Sequence, residues 1–291
     1  SFALMGKRFN YTVSATLGDN KTVFTKFNNP EKNLSNHYEG KVLGEIWGYR
    51  VDGLFASDEE AAEYTSKINQ DAVNERILTD KVDPYYRAGD LKFRDLDGDN
   101  VISKGDDTAY DAGDREIIGN ETPRYMYSFR LGADWNGFDL GIFFQGVGKR
   151  DWYPNYLSTG FWGPYSRAFT SFIPENFMDQ CWSEENRDGY FPRFRGYQTF
   201  AGSQLGVNND RYLQDASYIR LKNLTVGYTL PVLKKVFTKL RVYFTGENLW
   251  YWSPMLKHTK YIDPEAAGGN GNTGMAYNYS RNFSVGVDIT F

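Results

Sequence analysis

Residues 281–291 read Arg281-Asn-Phe-Ser-Val-Gly-Val-Asp-Ile-Thr-Phe291, and this stretch decides the fold. Phe283, Val285, Val287, Ile289 and Phe291 fall on one face, while Asn282, Ser284, Gly286, Asp288 and Thr290 fall on the other. Alternation with a period of two marks a β-strand with one apolar side and one small or polar side. A membrane-barrel strand has this character, with lipid outside and a polar lumen inside. So does the last strand of a soluble sandwich, and the strand by itself leaves both open. The alternation runs to Phe291 without the polar tail at which soluble domains commonly fray.

Working back along the chain, the same period recurs. Tyr11, Val13, Ala15 and Leu17 alternate with Thr12, Ser14 and Thr16; Gly18-Asp-Asn20 is turn chemistry and predicts a return strand over residues 22–27. Tyr125, Tyr127, Phe129, Leu131, Ala133 and Trp135 share a face, and Asn136-Gly137 predicts a tight hairpin into Phe138, Leu140, Ile142 and Phe144. Arg130, Asp134, Asp139 and Gln145 then lie together on the opposite side. Further strands are expected over residues 219–230, with a bulge between Leu221 and Leu224, and around Leu240, Val242 and Phe244. Ser57 is placed to cap a short helix with acids in its first turn. The count comes to about nine strands. Short turns join them at one end; an acidic loop over residues 80–120 and long loops over 148–212 and 249–280 join them at the other.

Composition narrows the function classes. A net charge of −4 leaves no basic footprint for nucleic acid. Mean hydropathy is −0.59, and no apolar run approaches a membrane-spanning helix, which leaves a β-barrel open. The 17% aromatic share suits interfacial girdles and also suits a glycan-binding sandwich. One cysteine permits no internal disulfide, and two histidines argue against a histidine-built zinc site. No acid/base pair or nucleophile motif stands out, so no enzyme is expected. The opening residues carry no signal peptide and pass straight into a strand, so the sequence is expected to be a piece of a longer precursor.

One segment has a defined chemistry. In Asp95-Leu-Asp97-Gly-Asp99-Asn-Val101-Ile-Ser103-Lys-Gly-Asp106, carboxylates stand at positions one, three, five and twelve, the Val101 carbonyl at seven and Ser103 at nine. That is the spacing of a loop for Ca²⁺, a hard cation that takes six to eight oxygens. Asn100 replaces the glycine of position six, and Asn tolerates the left-handed conformation. Position twelve is Asp106 rather than a bidentate glutamate, with Asp107 as an alternative. The expected role is structural, and the alternative is an acidic turn without metal. A second cluster, Trp152, Tyr153, Tyr156, Phe161, Trp162, Tyr165 and Trp182, crowds the long insert. Trp152, Tyr153, Trp162 and Trp182 are candidate ligand-stacking residues; the alternative, preferred for any one ring, is that it packs the loop on itself or sits at the membrane interface.

Several segments, in order from residue 44, resemble the C-terminal part of the SusC/RagA family of TonB-dependent transporters of Bacteroidetes. They are Gly44-Glu-Ile-Trp-Gly-Tyr, Gly89-Asp-Leu-Lys-Phe-Arg-Asp-Leu-Asp-Gly-Asp, Ile118-Gly-Asn-Glu-Thr-Pro-Arg-Tyr, the stretch from Tyr218 to Pro231, Gly246-Glu-Asn-Leu and Tyr261-Ile-Asp-Pro-Glu265. The ending also resembles the β-signal read by the barrel assembly machinery. The resemblance implies an all-β fold: the C-terminal strands of an antiparallel transmembrane β-barrel of about 22 strands, with long extracellular loops. It implies TonB-dependent import of oligosaccharides or peptides across the outer membrane, beneath a SusD-like surface lipoprotein. The plug domain and TonB box of the family have no counterpart here, so the energy coupling is expected from an N-terminal part. Two rivals are a secreted, calcium-stabilised β-sandwich that binds glycans and a passive porin-like channel; which face is wet separates the first from a barrel.

Overall fold

Alternating β-branched and aromatic residues favour extended chain, and long antiparallel strands follow wherever the sequence alternates. The computed structural model describes residues 1–73, 86–166, 173, 175–200, 203–231, 238–267 and 278–291. Parts of the acidic loop and of both long inserts therefore lie outside the described residues. In chain order the strands are β1 (Phe2–Leu4), β2 (Lys7–Gly18), β3 (Glu45–Tyr49), β4 (Val51–Leu54), β5 (Leu91–Phe93), β6 (Arg115–Asn120), β7 (Arg124–Trp135), β8 (Phe138–Lys149), β9 (Asp151–Trp152), β10 (Gln214–Asp215), β11 (Tyr218–Leu230), β12 (Lys239–Trp252) and β13 (Asn282–Thr290). Seven form one antiparallel wall in the order β1-β2-β7-β8-β11-β12-β13, and the others make three two-stranded ribbons, β3–β6, β4–β5 and β9–β10.

Register fixes what each face of the wall carries. One rung runs Tyr11, Ala133, Leu140, Val226, Phe244, Val285 across six strands; the next residue along gives Thr12, Gly132, Gly141, Thr225, Thr245, Ser284 on the other face. The apolar face is bare: Leu17 is 74% and Val285 76% exposed. The opposite face is laced with polar pairs. Thr16 bonds Ser128 at 2.6 Å, and Arg241 meets Asp139 at 2.7–2.8 Å and Asp288 at 2.9 Å. Gly227 is small where that charge cluster crosses the strand, since a Cβ there would meet Asp139 and Arg241 atoms at 2.5–2.6 Å. The bulge falls where the sequence predicts it, between Leu221 and Asn223. The Asn136-Gly137 hairpin also forms, with φ values of 48° and 90° that suit its tight turn.

Two sequence expectations are corrected. The hairpin after Gly18 does not form; residues 22–27 contribute a single bridge, Val23 to Val42. Phe24 stacks on His37 at 4.1 Å and Phe27 meets the same ring edge-on at 5.5 Å, so both leave any sheet face for a local cluster. β2 instead turns back onto β1 through Met5-Gly6 and pairs with β7. The bounds of the long inserts also shift, and the inserts hold elements of their own. Residues 148–212 hold β9, a short helix (Thr159–Trp162) and several 3-10 turns; the acidic loop holds β5 and β6; and the last insert begins only after Trp252. Ser57 caps the helix α1 (Asp58–Thr65) by accepting from the Glu60 backbone amide, as its position predicts.

The apolar core lies in the loops. Its buried members include Leu91, Phe93, Ile102, Trp152, Trp162 and Phe191, and among the described residues none comes from the seven wall strands. A sandwich would bury the wall's apolar face; this arrangement buries the loops' aromatics and leaves that face outward.

Candidate functional site

The loop mass sits where β8 and β12 end and β11 begins, and its packing starts from local chemistry. Trp162 is fully buried in the short helix, and its indole nitrogen donates to the carbonyls of Pro154 and Asn155 at 2.9 and 3.0 Å. Phe161, Phe200 and Tyr212 meet its ring edge-on, with centroids 4.6–5.1 Å away, a favoured aromatic geometry. Trp152 and Tyr165 are equally enclosed, and Trp182 is nearly so. Trp152, Trp162 and Trp182 therefore present no open ring face, and their role here is packing. Tyr153 differs. It donates from its hydroxyl to Val207 at 3.0 Å and lines a polar cleft of about 530 Å³ with Lys41, Trp47, Arg115, Glu121 and Asn208.

A larger cavity, about 590 Å³, opens between residues 160–190 and 257–261. Asp179, Asp188, Lys257, His258, Lys260 and Tyr261 are among its lining, so it offers charges of both signs beside an aromatic ring. His258 lies flat on Tyr190, with ring centroids 3.7 Å apart. Burial, followed by the nearby Lys257 and Arg211 charges, pulls its imidazole down to about 4. The unfolded chain then binds more protons than the folded one between about 4 and the ordinary 6.5. This group's contribution to loop stability is thus full above pH 6.5 and falls as pH drops toward 4. In histidine-labelled protein the His258 ring signal is expected to titrate near 4; titration at the ordinary value would refute the burial argument. The sequence alone marks neither His258 nor Trp47 as a site residue. The Trp47 segment is visible only through the family resemblance, and a lone histidine gives no local signal.

The acidic loop brings three predicted residues together. One carboxylate oxygen from each of Asp95, Asp97 and Asp99 lies within 4.8 Å of the others. Successive side-chain-to-backbone bonds wind the loop: Asp95 accepts from Gly98 and Asn100, Asp97 from Asp99, and Asp99 from Val101, at 2.7–3.1 Å. Asn100 takes φ of 67°, the left-handed conformation expected of position six. Ile102 is fully buried and ties the loop to the core. Ser103 is turned to its own loop, accepting from Gly105 at 3.1 Å. Asp106 is exposed and is not part of the cluster, and Asp107 is engaged by Arg115 at 2.7 Å. The acid that the sequence did not single out is Asp114. It is fully buried, accepts from the Leu96 and Ser103 amides at 2.7 Å, and lies near enough to feel Asp95 and Asp97.

No protein-family model matches the chain. Three curated relatives from Formosa agariphila do. "TonB-dependent receptor P3" is 30% identical over 87% of this chain and 22% of its own length, and "TonB-dependent receptor P26" is 28% identical over 70% and 20%. The chain thus spans about a fifth of the length of these relatives. Among solved structures, the RagAB peptide transporter superposes with a TM-score of 0.60 and 20% identity, over 97% of this chain and 27% of that one. The RagAB peptide importer in its closed-closed state gives the same TM-score and coverage. The fold likeness covers both the wall and the loops. These relatives are named as receptors and transporters, in keeping with a chain that is not expected to be an enzyme.

Proposed function

We propose that this chain, which has the sequence and fold of a SusC/RagA-like TonB-dependent transporter, supplies wall strands and extracellular loops to such a transporter in a bacterial outer membrane. The observation that carries this reading is the uncovered apolar ladder, six strands wide, backed by a polar face. In water, each exposed valine or leucine forgoes roughly 1.5–3 kcal/mol of burial; in hydrocarbon it does not. The long loops all leave the wall at one end, which suits an outward-facing ligand entrance. The full-length protein would import an oligosaccharide or a peptide, with a SusD-like lipoprotein over the loops and TonB acting on its N-terminal part.

Fractionation of native membranes tests this. The expected product is a detergent-requiring outer-membrane protein several times longer than 291 residues, whose ligand uptake stops when a protonophore removes the energy for TonB. A protein of 33.4 kDa that stays soluble without detergent would refute it and promote the sandwich.

We further infer that the loop around Asp95, Asp97 and Asp99 holds a Ca²⁺ ion, with the Val101 carbonyl and Ser103 as further donors. The three convergent carboxylates and the left-handed Asn100 fit such an ion; the outlying Asp106 leaves its coordination to be completed by water. Bound calcium would offset the mutual repulsion of the acids. At a hundredfold excess over its dissociation constant it would stabilise the loop by about 2.7 kcal/mol. Proteolysis within residues 85–120 is therefore expected to accelerate about a hundredfold with chelator at that excess. Asp97→Ala with Asp99→Ala should reproduce the effect without altering the wall. Equal cleavage rates with and without chelator would dispose of the site.

A further inference from the structure

Arg150 follows the end of β8 and is only 9% exposed. Its Nη1 donates to the carbonyl of Pro264 across 3.4 Å, a long bond, and its Nε has neither a hydrogen-bond partner nor solvent contact. The turn containing Pro264 carries two carboxylates, and both are engaged elsewhere. Arg220 takes Asp263, and Arg220 and Lys222 share Glu265. The second oxygen of Asp263 is without a hydrogen bond, yet it forms no ion pair with Arg150. Glu121 is near enough for its charge to be felt at Arg150 but forms no ion pair with it. Three cations thus share two anions, and among the described residues no carboxylate pairs with Arg150. A buried guanidinium without a counter-charge is strongly unfavourable, so an anion belongs here.

We propose that Arg150 receives the carboxylate of an aspartate or glutamate from the remainder of the full-length protein, packed against the polar side of the wall. The proposal rests on the transporter reading above. The chain spans 22% of its relative's length, so most of the polypeptide that could supply the acid lies outside it. The Nε is enclosed by this chain and Nη1 is taken by Pro264, but Nη2 is neither enclosed nor hydrogen-bonded, so the incoming carboxylate meets the guanidinium at that edge. The acid is then a built part of the folded protein, and Arg150 anchors that part beside the Asp263–Glu265 turn.

The test is made on the full-length protein in outer membranes, reading thermal unfolding by gel mobility. Arg150→Met gives opposite signs under the two cases. If a carboxylate pairs with Arg150, the substitution strands it, and the folded-to-unfolded ratio falls by about tenfold or more. If Arg150 has no partner, methionine removes a buried lone charge, and the midpoint stays or rises, which overturns the proposal. Selection for revertants of Arg150→Glu then locates the partner. Lysine or arginine replacing an acid outside residues 1–291 supports it, and rescue only from within this chain overturns it. Should no revertant arise, the sign of the methionine shift decides. Failure of the transporter reading is distinguishable, because the unmutated protein would then be absent from the outer membrane.

Discussion

Replacing Arg220 with methionine is expected to release residues 253–281 from the wall at a cost of about 3–5 kcal/mol, because Asp263 is left buried and unpaired. Arg220 and Asp263 are each 1% exposed, and their side chains are in direct contact. Glu265 lies 3.0 Å from the Arg220 Nε, an ion pair without hydrogen-bond alignment, and keeps Lys222 at 2.8 Å. The guanidinium also lies over Tyr251 and Tyr279, at 4.6 and 5.2 Å from the ring centres. Proteolysis in detergent should therefore reach the segment after Trp252 while β11 and β12 stay protected. Adding Asp263→Leu should recover much of the loss, since it removes the stranded charge. A double variant as labile as the single one would show that the pairing is not what holds the loop.

Trp162→Ala should have a comparable effect on a different body. The indole is fully buried among Phe161, Phe200 and Tyr212, and its removal leaves both a large void and two carbonyls short of a donor. The expected loss is about 3–5 kcal/mol of loop stability. Hydrogen exchange should quicken across residues 152–165 and 190–212, with the wall amides unchanged. If the wall amides quicken equally, loops and wall unfold as one, and the separate core of the loops has no independent stability.

What the sequence discloses depends on the range of the interaction. β13, the β7–β8 hairpin and the bulge in β11 are legible because alternation and Asn-Gly turn chemistry are local. The strand expected over residues 22–27 fails because Phe24 and Phe27 find His37 instead, a contact that alternation does not encode. The ribbons β3–β6 and β4–β5 are short and join residues far apart, so no single window contains their signal. The same holds for charge. Asp90 is fully buried against Arg193 and Gln204, more than a hundred residues away, yet it reads as one acid among many. In the acidic loop the alternating aspartates are visible, but the buried Asp114 behind them is not. Aromatic crowding in the long insert is plain from the sequence; that Trp152 and Trp162 face inward while Tyr153 lines a cleft requires the fold.

Arg124 grips Asp19 with both nitrogens at the mouth of the first excursion, although the two residues stand 105 positions apart. Bringing strand ends together across such a gap carries an entropy that grows with the logarithm of the gap, and non-local pairing of this kind slows folding. The Arg124–Asp19 pair fixes the ends of β2 and β7 where their ladder begins. The excursion between them has no core to itself: its Tyr49, Leu91, Phe93 and Ile102 share one buried cluster with residues of the two later excursions, such as Trp162 and Ile262. The loops are therefore expected to order together, and the pair at the mouth to hold the strand ends until they do.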